Sequence, residues 1–162
     1  MPPHVYHAHV ADLPQEVRYG GSYMRTGMIM DQGLVSWVRL TDDYESSLDT
    51  DHRPTHHHPF DQIIYMAEGE MTMMIGPDDW ALKPGDAIYI PRDVPHGSRV
   101  TKGPVLIIEI FAPIRTDYLY FCEHQTTHGA PERAADGSRV DERPRDKVPF
   151  SGRFQGAGGV TL

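Results

Sequence analysis

The sequence predicts an all-β barrel or sandwich, and two observations carry the prediction. Between about residue 34 and residue 112 short apolar runs recur at regular spacing, each followed by a Gly, Pro or Asp turn signal. The last of these, residues 104 to 111 (Pro-Val-Leu-Ile-Ile-Glu-Ile-Phe), is a nearly continuous β-branched run of the kind found in strands covered on both faces.

Taken in order, residues 1 to 33 are mixed and contain a turn at Tyr19-Gly20-Gly21-Ser22. Residues 34 to 40 read as the first barrel strand. Residues 63 to 67 and 70 to 75 are apolar runs split by Glu68-Gly69, a hairpin signal. Gly76-Pro77-Asp78-Asp79 turns into a strand at 80 to 82, and Lys83-Pro84-Gly85-Asp86 turns into another at 87 to 90. Residues 117 to 122 suit either a last strand or a short helix. Beyond Gln125 the chain is rich in Gly, Pro, Arg and Asp and carries little core. The expected organisation is an extension over 1–33 packing on the barrel or on a partner, a barrel over 34–125 and a polar tail over 126–162.

Composition removes several classes of function. A chain of 162 residues with 39% hydrophobic and 23% charged residues is one soluble domain with a real core. Its formal net charge of -8, without a Lys/Arg cluster, lacks the footprint of a nucleic-acid binder. Cys122 is the only cysteine, so an internal disulfide and a cysteine-rich zinc site are both excluded. A reducing, cytoplasmic setting is expected, with no membrane attachment, since there is no basic-then-apolar leader and no apolar stretch of bilayer length.

Chemistry concentrates in His56-His57-His58-Pro59-Phe60-Asp61-Gln62 and, later, Pro91-Arg92-Asp93-Val94-Pro95-His96. In an extended strand alternate residues share a face, so His56 and His58 point one way, with Gln62 in the same parity, and His57 points the other. His96 must arrive from another strand. Three imidazoles and an amide oxygen can hold one borderline divalent metal and leave positions open for substrate. A bare histidine triplet is also compatible with a polar loop cluster.

The spacing of the two segments resembles that of the cupin family. His56-x-His58, three residues, Gln62, six residues and Gly69 match its first motif; Gly85, five residues, Pro91 and then Val94-Pro95-His96 match its second. The resemblance implies a double-stranded β-helix, or jelly-roll, with irregular N- and C-terminal extensions. It also implies one divalent transition metal per chain (Zn, Mn, Fe or Ni) held by His56, His58, Gln62 and His96. The chain departs from the family pattern at Gln62, Asp93 and Val100, where Glu, Gly and Asn are usual. A neutral amide at position 62 leaves the metal charge uncompensated and removes a ligand carboxylate that might act as base. Gln62 as fourth ligand and three histidines alone both remain open.

Glu109 sits in the last apolar run, where burial would raise its pKa toward the range useful for proton transfer. An ion pair with Arg115 is the alternative. The segment Glu109-Ile110-Phe111-Ala112-Pro113-Ile114-Arg115-Thr116-Asp117-Tyr118-Leu119 is similar to one in small cupins that convert unsaturated uronates, with Glu109 where Asp is usual. There the acidic, Phe and Arg positions line the substrate pocket. The first motif also resembles those of cupin polyketide cyclases and of manganese cupins with hydroxynitrile lyase activity. The expected site therefore comprises Glu109 and Arg115 as catalytic groups and Phe111, Tyr65 and Phe60 as substrate contacts, with Met66, Met71, Met73 and Met74 as core. The leading expectation is a Lewis-acid isomerase, lyase or cyclase on a small enolisable or carbonyl substrate. An iron-dependent dioxygenase and a non-catalytic small-molecule-binding cupin are the alternatives. Edge strands of such a barrel suggest a homodimer, with the N-terminal strand as the element to exchange.

Overall fold

The computed structural model describes residues 6–44 and 55–125. Seven strands make one antiparallel sheet: β1 Glu16–Arg18, β2 Tyr23–Met30, β3 Gly33–Leu40, β4 Asp61–Ile75, β5 Asp78–Leu82, β6 Ala87–Ile90 and β7 His96–Ala112. The order is β1-β2-β3-β7-β4-β5, with β6 also paired to β4. The sheet is a jelly-roll barrel. The expected tail over 126–162 lies outside the described residues.

The frame is the pair β4 and β7. The first half of β4 carries β6 and faces the second half of β7, while its second half carries β5 and faces the start of β7. Between the halves the register shifts from Met66 to Met71. Gly69 lies there with φ of 76°, and a Cβ on it would fall 2.5 Å from the Pro104 carbonyl oxygen. The hairpin expected at Glu68-Gly69 is therefore corrected to a bulge inside one long strand. Hairpins and bulges both recruit a left-handed glycine, and only the partner strand, here β7 running past both halves, decides between them.

Alternation along the strands then assigns the two faces. Val38, Leu40, Ile64, Met66, Met71, Met73, Leu82, Ile90, Val105 and Ile107 form the main core, so the methionines are packing residues. Ile63, Tyr65, Tyr89 and Ile110 occupy the opposite face and are exposed.

The boundary expected at residue 33 falls inside a hairpin. All eight residues of β2 pair with β3, and β1 pairs with β2, so the N-terminal segment completes this chain's own sheet. Residues 117 to 122 resolve as a 3-10 helix, Thr116–Cys122, which lays Phe121 and Cys122 against Leu34 and Phe111.

Candidate metal centre

The site forms where the two motif segments meet at one end of the barrel. His56 and His96 face each other in an isolated antiparallel bridge, joined by two backbone hydrogen bonds of 2.8 Å. Asp93 donates its backbone N–H to the His58 carbonyl at 2.8 Å from a left-handed turn with φ of 63°. That conformation favours glycine, the usual family residue there, and Asp is among the side chains that tolerate it. Gln62, at the start of β4, points inward and is 4% exposed. His57 faces solvent, as alternation requires.

One ring nitrogen from each of His56, His58 and His96 lies within 4.8 Å of the others. His58 Nδ1 bonds the Phe60 carbonyl at 2.9 Å and His96 Nδ1 the Val94 carbonyl at 2.7 Å. A carbonyl only accepts, so both Nδ1 atoms carry the proton and both Nε2 atoms present lone pairs in the neutral ring. Burial keeps the His96 ring neutral by lowering its pKa to about 4, with repulsion from His58 adding to the effect; His56 shifts in the same direction but is exposed, so the lowering there is weaker than for a buried ring. His58 is lowered as well, mainly by burial.

These lone pairs have no donors to receive. His96 Nε2 is buried and has no hydrogen-bond partner among the described residues. His58 Nε2 lies 3.1 Å from Gln62 Oε1, one acceptor against another. Buried acceptors converging in this way are costly unless a cation or a donor such as water satisfies them. His56, His58 and His96 could therefore hold a borderline divalent metal, with the Gln62 amide oxygen close enough to join them.

Behind the ligands, Gln62 Nε2 donates to Glu109 Oε1 at 3.0 Å, and Ser36 Oγ donates to Glu109 Oε2 at 2.8 Å. Burial, the dominant influence, raises the Glu109 pKa against these bonds and the nearby Arg25 and Arg115 charges. A cavity of about 210 Å³ adjoins the centre, bordered by Gln62, Glu109, Phe111, Arg115, Tyr118 and Tyr23 among others. The ion pair considered for Arg115 and Glu109 does not form. Arg115 Nε instead bonds Asp117 at 3.3 Å, and its guanidinium lies 3.6 Å from the Tyr118 ring centroid.

Of the residues expected in the site, the three histidines, Gln62, Glu109, Phe111 and Arg115 come together. Tyr65 is the correction: it is 42% exposed on the outer face, paired with Ala87 and Ile108, because Ile64 takes the inward position. Phe60 stands beside the His58 ring at 5.9 Å and the Arg115 guanidinium at 5.7 Å, not on the cavity wall. Ser36, Tyr23, Arg25 and Tyr118 were not anticipated. Tyr118 had a signal, its place three residues after Arg115, whereas Ser36 reaches Glu109 only through the β3–β7 register.

The geometry describes a β-barrel with a three-histidine cluster that could hold a metal at one end of its interior. The family profile described as "Cupin domain" matches residues 49–111 of the chain, in line with a small cupin domain. Among solved structures, an RmlC-like cupin from Shewanella frigidimarina is similar over 70% of this chain and 96% of its own, at 22% identity and TM-score 0.59. KdgF from Halomonas sp. is similar over 59% of this chain and 84% of its own, at 23% identity and TM-score 0.53. The DMSP lyase DddQ from Ruegeria pomeroyi matches over 58% of this chain and 48% of its own, at 20% identity and TM-score 0.50. No curated protein sequence matches the chain. At these identities the structural likeness defines the fold. Among the described residues no helix is long and apolar enough to cross a membrane.

Proposed function

We propose that this chain is a metal-dependent enzyme of the isomerase, lyase or cyclase kind. Its substrate would be a small molecule carrying a carbonyl or enolisable group together with a carboxylate or phenolate. The observation that carries the reading is the buried, partnerless Nε2 of His96 among neutral lone-pair donors, beside a cavity that also holds Arg115. A divalent metal held by His56, His58, Gln62 and His96 supplies Lewis acidity toward a substrate oxygen.

The chain's own groups do the rest. Nη1 and Nη2 of Arg115 have no partner among the described residues, and its ring contact with Tyr118 keeps the planar fork in place. Such a fork binds a carboxylate through two parallel bonds. Phe111, 1% exposed, closes the cavity wall next to His58, with ring centroids 5.7 Å apart, and excludes water from the reacting end.

The test combines elemental analysis of untagged protein with substrate screening of metal-loaded and metal-stripped protein, in air and without it. The screen covers unsaturated uronates and aromatic polyketones. Turnover that needs metal but not oxygen, and that Arg115→Ala weakens, is expected. Equal turnover by stripped protein removes the metal role. Strictly oxygen-coupled substrate loss makes the chain a dioxygenase, and tight binding without turnover makes it a binding protein.

A further inference from the structure

A glutamine side chain presents an oxygen on one side and an NH2 group on the other, and rotation about its last bond exchanges them. Only the oxygen can ligate a metal. The NH2 group, turned toward the histidines, would donate to the His58 Nε2 lone pair and seal the site with an internal hydrogen bond. Something must hold the amide the right way round.

The geometry points to Glu109 and Ser36 as positioning residues that aim the Gln62 amide oxygen at the metal centre, a role that rests on the metal reading above. Gln62, Glu109 and Ser36 belong to β4, β7 and β3, three adjacent strands, and form one hydrogen-bonded chain across them. Ser36 stands directly opposite Glu109 in the register and is 0% exposed. Its hydroxyl holds one carboxyl oxygen, which leaves the other facing the Gln62 NH2 at 3.0 Å. The oxygen toward Gln62 accepts when the carboxyl group is charged, and also when it is neutral with its proton on the oxygen toward Ser36, so the amide keeps its orientation in both cases. With its donor side occupied, Gln62 can offer the centre only its oxygen. Both Glu109 oxygens are engaged, and this placement favours holding a ligand over abstracting a substrate proton.

The experiment is a Co2+ titration, followed by calorimetry and visible d–d absorption, of the wild type, Glu109→Leu, Glu109→Gln and Ser36→Ala. Thermal unfolding of each metal-free protein accompanies it. Glu109→Leu should weaken Co2+ binding by about 10- to 100-fold, the usual cost of losing a partner behind a ligand, and should shift the d–d band. Glu109→Gln should bind close to wild type with an unchanged band, since its carbonyl accepts from Gln62 and its NH2 donates to Ser36. Ser36→Ala should fall between them, and it carries the test if Glu109→Leu does not fold. Wild-type affinity and spectrum in both Glu109→Leu and Ser36→Ala overturn this role and leave the metal reading standing. So does a Glu109→Gln protein that fails as badly as Glu109→Leu, because charge rather than acceptance would then matter. A wild-type chain that takes up no Co2+ overturns both.

Discussion

Two buried polar clusters lie a few residues apart along the same cavity, and they are built on opposite terms. In the first, Arg25 is 1% exposed and its guanidinium bonds Glu16, Tyr120 Oη at 2.6 Å and Tyr23 Oη at 3.3 Å. Glu16 also receives Arg18 and the Tyr120 hydroxyl. Donors and acceptors match there. In the second, His58, His96 and Gln62 turn acceptors toward one another with no donor between them among the described residues. Both clusters are buried, so burial alone does not separate a structural site from a ligand site. The balance of donors and acceptors does.

Breaking the first cluster should cost the most. Arg25→Leu leaves the buried Glu16 with Arg18 as its remaining cation and Tyr120 without its guanidinium donor, and a loss of about 3 kcal/mol in unfolding free energy is expected from denaturant titration. The second cluster should behave in the reverse way. His96→Ala removes a ring whose Nε2 has no partner among the described residues and whose Nδ1 bonds only the Val94 carbonyl, so metal-free stability should fall by no more than about 1–2 kcal/mol. What should vanish is metal-induced stabilisation, about 2.7 kcal/mol in the wild type at a hundredfold excess of metal over its Kd, read as a thermal shift.

Acid separates the clusters further. The folded-state pKa of His96 is lowered to about 4 from the ordinary 6.5, so the unfolded chain takes up its proton first. Metal-free stability should therefore be full above pH 6.5 and fall as pH drops from there toward 4, by at most about 1.4 kcal/mol per pH unit for one histidine. His56 changes in the same direction but is more open to solvent, so His96 carries most of the effect. Urea midpoints across this range in His96→Ala should be flatter than in the wild type, and equal slopes would contradict the lone-pair picture.

The smallest effect concerns the residue the clusters share. Guanidinium carbons of Arg25 and Arg115 lie 3.8 Å and 3.6 Å from the Tyr118 ring centroid, close enough that each must take its own face. Tyr118→Leu should lower stability by about 1 kcal/mol and also weaken binding of an anionic ligand at Arg115. If only one of the two changes, the clusters are independent.

Much of this arrangement was legible in the residues. The strand at 87 to 90 falls where its flanking turns place it, and β3 departs from the expected 34 to 40 by one residue. Alternation separated His57 from His56 and His58, because side-chain direction in extended chain follows position alone. The same parity argument was available for Tyr65, which is three residues from Gln62 and so faces outward. Its aromatic character suggested a cavity wall where the count did not. The N-terminal strands were missed because β1 is three residues long and β2, Tyr-Met-Arg-Thr-Gly-Met-Ile-Met, has a buried arginine and a glycine in its interior.

By itself the sequence determined the β architecture and the two histidine-bearing segments that meet at one site, both of which depend on local spacing and side-chain chemistry. The tertiary structure alone decided which donors lack partners and which carboxylate stands behind which ligand. It also decided whether Gly69 turns the chain back or bends it onward. Each of these depends on strand register, which brings Ser36, Gln62 and Glu109 together from positions as much as 73 residues apart. Register is set by the packing of the whole sheet, not by any one segment of it.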